Sequence, residues 1–181
     1  MKRIIKKINY RLSLVDVMYG VILTYGFATV DQVKGFEIIP VLKYIFAYSI
    51  IIIDWVHAHE VYSREGYSSN IIFILDLIIL FIISRLIKSS VSSSQFSFWI
   101  FMGALFFLYS TWDFLMLKIN KKSEFNFINE LKADLFNCLI CLVFVLTIHF
   151  KFIRDEIFLF LIFAVMYIIT VIIWERRIKK T

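Results

Sequence analysis

Apolar residues run through this chain in long unbroken blocks, and polar residues collect between them. A helix needs about 20 residues to cross the hydrocarbon of a bilayer. Six blocks reach that length, at roughly 13–30, 38–57, 69–88, 96–117, 133–151 and 156–174. Five Gly and one Pro leave little turn chemistry, so the blocks predict helices rather than strands. Pro40 falls in the first turn of the second block, where its missing N–H costs nothing. The fifth and sixth blocks are separated only by "KFIRDE". One continuous helix would carry Lys151, Arg154, Asp155 and Glu156 through the membrane at high cost, so a helical hairpin is predicted. The expected fold is an all-α integral membrane protein with six transmembrane helices.

Composition supports this class. Of 181 residues, 61% are hydrophobic and 19% charged, and the mean hydropathy is +0.82. A soluble domain carries about 25% charged residues to build its surface. The net charge of +6 does not indicate nucleic-acid binding, because the basic residues lie between apolar blocks and at both ends. Their distribution sets an orientation. Fourteen of the twenty Lys and Arg fall on the side that holds both termini, and six on the other. Both termini are therefore expected in the cytoplasm. The expected setting is the plasma or inner membrane of a bacterial cell, with the lipid bilayer as the principal partner.

Three regions follow. Residues 1–12, "MKRIIKKINYRL", place Ile4, Ile5, Ile8 and Leu12 on one helical face with lysines elsewhere, as a basic interfacial segment would. Asp16 in the following apolar stretch, and the want of a small-residue cleavage site, argue against a signal peptide. Residues 13–174 form a single six-helix transmembrane domain, and 175–181 a basic cytoplasmic tail. The 118–132 connection resembles the N-terminal segment, with Ser123 or Asn126 as a helix cap and Phe125, Ile128 and Leu131 on one side. "SSVSSSQ" reads as a flexible outer loop.

Ionisable groups inside membrane segments are costly and mark function, packing or both. Asp16, Asp76 and Asp134 lie near the starts of helices one, three and five, and Asp54, Asp113 and Glu175 near the ends of helices two, four and six. On the expected orientation all six lie toward the cytoplasm. Trp55, Trp112 and Trp174 adjoin the second set. The pattern fits either a weak threefold repeat of hairpins or the ordinary placement of Trp and charge at an interface. Asp16, Gly20, Thr24 and Ala28 recur at i+4 on helix one, which suits close packing in the bundle or a wet path. Asp134, Cys138 and Cys141 make a similar run on helix five. The two cysteines read as small apolar packing groups rather than a redox pair.

The stretch "IIIIDWVHAHEVYSREG", residues 50–66, holds the densest chemistry. Asp54 and His57 are i,i+3 neighbours, and Trp55 and His59 are i,i+4. Two ligands do not make a metal site, and "HEVYS" lacks the second His of a zinc-protease helix. No nucleophilic triad or phosphate loop has recognisable spacing. No enzyme activity, cofactor or metal is expected. Asp54 and His57 suit a proton-sensitive contact or a structural bond.

Two segments carry a family resemblance. "RLSLVDVMYGVILT" resembles the first-helix signature of the transmembrane-protein-175 family of potassium channels, an Arg followed by Phe-Ser-Asp and an apolar helix containing Thr, with Arg11, Asp16 and Thr24 as counterparts. "WVHAH" is similar to that family's Trp-x-Asn-His-His through Trp55 and His59. Leu14 and Val15 stand in place of Phe and Ser, His57 in place of Asn and Ala58 in place of the first His, while Asp54 is extra. The resemblance implies a homo-oligomer, a tetramer in the bacterial members, with helix one lining a central pore. It makes Leu14, Val17, Val21 and Thr24 the pore-lining candidates, and Arg11, Asp16 and His59 a network holding helix one to helix two. The wider cytoplasmic polar network adds Asp54, His57, Asp76, Asp113 and Asp134.

The leading expectation is an oligomeric cation channel or leak pathway of potassium type. A second is a membrane-embedded interaction or effector subunit working with a cytosolic protein, for example in a bacterial stress or defence system. A third is a proton-coupled transporter using the aspartates.

Overall fold

A computed structural model describes residues 10–29, 38–65, 69–92, 95–120, 126–152 and 156–178. Six helices make up this part: α1 (Tyr10–Thr29), α2 (Ile38–Glu65), α3 (Asn70–Ser90), α4 (Gln95–Ile119), α5 (Phe127–His149) and α6 (Glu156–Ile178). Five are long and apolar enough to cross a membrane, and the sixth has a shorter apolar stretch at Ile157–Thr170. The chain is a multi-pass, all-helical protein of the membrane class. The basic segment before α1, the cap at Ser123, the Trp174–Glu175 side chains and the tail beyond 178 lie outside the described residues or side chains.

Successive helices run in opposite directions. The end at which α1, α3 and α5 begin is the near face, and the opposite end the far face. Helices α2, α3, α4, α5 and α6 form a ring in which α6 closes back onto α2, and α1 packs against α2 and α3. The outward faces are oily, with Val56, Phe81, Phe107, Leu139 and Val165 all exposed. In a bilayer such surface meets acyl chains rather than water.

Helix α1 begins at Tyr10 and α6 ends at Ile178, a turn beyond the apolar blocks, and the expected flexible loop at 89–95 shortens, since Ser89 and Ser90 are buried in α3 and α4 begins at Gln95. Two further boundaries move more. Helix α2 does not end near residue 57, where its apolar block stops, but runs on to Glu65. At 28 residues it is about 42 Å long, against a hydrocarbon core of about 30 Å. The helix outlasts the apolar run because its helical period continues. Val61 and Tyr62 stay buried, while Glu60 and Ser63 face outward. Helix α5 likewise starts at Phe127, inside the supposed 118–132 connection, where the Asn126 side chain caps it by accepting from Asn129 N at 3.3 Å.

The α5–α6 break falls where the charged turn predicts it. Phe150 caps α5, and Lys151 takes a left-handed conformation at φ 57°. Lys151 N–H donates to Ile148 O at 3.1 Å and Phe152 N–H to Thr147 O at 3.0 Å. These two bonds satisfy the last carbonyls in a Schellman turn, a position that usually takes Gly.

The far half of the bundle is filled with aromatic rings. Trp99 meets Phe144 at 5.0 Å and Phe163 at 5.2 Å, Phe46 packs edge-on against Phe160 and Phe163, and Phe163 stacks on Tyr167. Edge and offset contacts of this kind add about 0.5–1.5 kcal/mol per pair beyond burial. Lys43, 2% exposed, sits at the same level with its Nζ 5.7 Å from the centre of the Phe98 ring.

Helix α1 turns Val15, Tyr19, Ile22, Gly26 and Thr29 inward. Tyr48 crosses Gly26 and donates its hydroxyl to Leu23 O, and Tyr44 donates to Gly26 O at 3.0 Å. A Cβ on Gly26 would collide with the Tyr48 ring, whereas one on Gly20 would meet nothing within 4 Å. Gly26→Ala is therefore expected to cost about 1–3 kcal/mol of stability by overpacking. Gly20→Ala is expected to be neutral or to stabilise, by up to about 1 kcal/mol of helix propensity. Thermal unfolding of both variants in detergent checks this, and a Gly26→Ala protein as stable as the wild type would contradict the packing.

Candidate functional site

A cavity of about 140 Å³ lies within the ring, and all six helices line it. Asp76, Asp113 and Asp134 each sit six or seven residues from the near end of their helix, about 10 Å of rise. The cavity thus occupies the near half, with the aromatic cluster beyond it. Phe106 and Tyr167 belong to both.

Five carboxyl side chains line this space: Asp54, Asp76, Asp113, Glu130 and Asp134. One imidazole, His57, is the single basic side chain among the lining residues, and its Nε2 lies 3.3 Å from Glu130 Oε2. Lys43 is eleven residues before Asp54 on α2, about 16 Å away along the axis, so it does not neutralise the cavity.

The carboxyls differ in their partners. Tyr19 donates its hydroxyl to Asp54. Tyr62 donates to Asp76 Oδ2 at 2.5 Å, and Trp112 Nε1 donates to the Tyr62 oxygen at 2.8 Å, which joins α4, α2 and α3 in one relay. Asp113 lies against Asp134 and Glu130, an acid beside two acids. It is 3% exposed, and its Oδ2 has no hydrogen-bond partner among the described residues. Asn137, 2% exposed and one turn along α5 from Asp134, presents an Oδ1 in the same condition. The Tyr109 hydroxyl lies beside Asp54 without a hydrogen bond of normal geometry to any described group. A buried polar atom left unpaired costs about 1–3 kcal/mol, which makes the Asn137 oxygen beside these acids a notable feature.

The structure divides the sequence candidates into three groups. Asp54, His57, Asp76, Asp113 and Asp134 come together in the cavity. Asp16 and His59 stand apart from it as a clamp between α1 and α2. Asp16 Oδ1 accepts from Trp55 Nε1 at 3.0 Å and lies 3.4 Å from His59 Nδ1. Arg11 does not join that clamp. It donates to Asn70 Oδ1 at 2.5 Å and lies over the Phe73 ring, so it ties α1 to α3. Leu14, Val17, Val21 and Thr24 are exposed on the outward face of α1. Gly20 and Ala28 share that face, so most of the small-residue stripe lies outside the bundle core.

Glu130 and Asn137 were missed by sequence reasoning. Once α5 starts at Phe127, Glu130, Asp134, Asn137 and Cys141 recur at i, i+4, i+7 and i+11 on one face. That spacing is the signal that a later helix start concealed. Cys141 is buried, and Cys138 Sγ donates to Gly103 O at 3.6 Å, as packing groups between α5 and α4. Among the described residues no group of His, Cys, Asp and Glu has the arrangement to hold a metal ion. No family model, curated protein or solved structure matches the chain.

The relay from Trp112 through Tyr62 to Asp76 makes a quantitative expectation. Tyr62→Phe deprives both neighbours of a partner and is expected to cost about 1–2 kcal/mol, the range of interhelical hydrogen bonds in membranes. In a double-mutant cycle with Trp112→Phe, the two losses should fall short of additivity by about 0.5 kcal/mol or more. Unfolding of the four proteins in mixed micelles reads the cycle, and strict additivity would deny the relay.

Proposed function

We propose that the protein carries a cation across the membrane and that the acid-lined cavity is where the cation binds. The observation that carries this reading is the charge imbalance: five carboxyls to one imidazole, gathered from α2, α3, α4 and α5 into one space. Charge buried at membrane depth needs a counter-charge, and cations or protons supply it. The aromatic cluster beyond the cavity gives a barrier on the far side, as an occluded binding station requires. On the orientation that the basic residues imply, the cavity lies in the cytoplasmic half, where its acids raise local cation concentration. Both a channel and a proton-coupled transporter fit this arrangement.

A second reading follows from the outward face of α1. Leu14, Val17 and Val21 are exposed, Gly20 has open space before it, and Thr24 keeps its hydroxyl on Gly20 O at 2.8 Å. This face suits the axis of a homo-oligomeric pore with an apolar neck, the arrangement that the resemblance to potassium channels implies. The Asp16–Trp55–His59 clamp then holds α1 in place from behind.

Flux into proteoliposomes separates the two. Entry of a cation, whether potassium, sodium, a proton or an organic ammonium, is expected with the wild type. If the route is the cavity, Asp113→Asn and Asp134→Asn lower flux by about tenfold or more, roughly 1.4 kcal/mol, and Val21→Trp leaves it intact. If the route is an α1 pore, Val21→Trp blocks it and the protein runs as a ring of subunits in a native-like bilayer. Absence of any cation flux sinks both.

A further inference from the structure

We infer that the ligand of the cavity is a small organic ammonium ion bearing N–H groups on a compact apolar body. The inference rests on the reading of the cavity as a cation site and specifies its chemistry.

Size is the first argument. A volume of about 140 Å³ far exceeds what a bare ion or single water fills, and a comparable apolar engineered cavity takes up benzene. The wall is the second. Tyr19, Phe106, Tyr109, Trp112 and Tyr167 line it, with aliphatic groups such as Val15 and Ile79. Aromatic faces attract a cation and pack against hydrocarbon at once, whereas an alkali or alkaline-earth ion looks for a shell of oxygens. The described acids and histidines offer no metal-holding group.

The third argument is the missing donor. Asn137, a cavity-lining residue, keeps its Oδ1 buried with no donor among the described residues, and Asp113 has only the carboxyls of Asp134 and Glu130 to share a proton with. Glu130 and Asp134 stand beside Asp113. A primary ammonium has three N–H donors and one positive charge. Placed at this floor it donates to Asp113 and Asn137, offsets one of the clustered carboxyl charges, and leaves its apolar body against the rings. A proton alone would lessen the charge without filling the space. A quaternary ammonium would suit the rings and give nothing to the two oxygens.

Benzylammonium is a suitable probe for the full-length protein in lipid nanodiscs, with binding read by calorimetry. Saturable binding is expected, at least about tenfold tighter than that of benzyl alcohol or tetramethylammonium, because a hydrogen bond to a charged group accounts for a factor of this order. Asn137→Leu and Asp113→Asn should each weaken it by about tenfold to a hundredfold. Ala133 also lines the cavity, and Ala133→Leu narrows it without touching an acid. That variant should remain folded by circular dichroism and lose binding, which keeps the test decisive if an acid or amide variant fails to fold. Binding undiminished in a folded Ala133→Leu or Asn137→Leu protein overturns the proposal. So does flux of potassium, sodium or protons by a protein that takes up no benzylammonium, an outcome that leaves cation transport standing. Benzylammonium binding by a protein that passes no cation supports the site and removes the transport reading instead.

Discussion

Carboxyl groups at membrane depth have no water to solvate them, and the architecture answers that constraint. A charged side chain facing lipid at the centre of a span costs about 2.5–3.5 kcal/mol on insertion scales. Five helices close into a ring, and five acids turn into its interior rather than outward. The surrounding donors are tyrosine and tryptophan, which give one hydrogen bond each and keep an apolar body for the core. Tyr19 on Asp54, and Tyr62 with Trp112 on Asp76, tie three pairs of helices through these acids. The polar site and the helix packing are therefore one structure, and a change to either is felt in the other.

The two halves of the bundle are built differently. The near half holds a space bounded by acids and phenols, and the far half is close-packed with aromatic rings around Trp99 and Phe163. Interiors packed in this way do not deform continuously but pass between discrete arrangements. Tyr167 and Phe106 touch both regions. Helix α1 is held differently from the ring, by Arg11 on α3, the Asp16 clamp on α2, and the close crossing of Tyr48 at Gly26.

Block length and hydropathy determined the number, class and order of the helices by themselves, because spanning hydrocarbon leaves the backbone few alternatives. The α5–α6 break was legible in "KFIRDE" for the same reason. The common depth of Asp54, Asp76, Asp113 and Asp134 was also legible, since alternating helices convert sequence position into depth. Helix ends were less so. The end of an apolar run marks the limit of the hydrocarbon, and α2 and α5 continue into the interface on periodicity and capping alone.

What only the tertiary structure decided is which residues share a space. Rotation of each helix about its axis is fixed by packing against its neighbours, and a block apolar on nearly every side carries little sign of that rotation. Hence Asp16, at the same depth as the other acids, falls on a separate clamp, while Glu130 and Asn137 join the cavity. Arg11 reaches Asn70 rather than Asp16 for the same reason, since its partner depends on which helix lies beside it. The sequence set the depth of the charges, and the packing of six helices chose which of them meet.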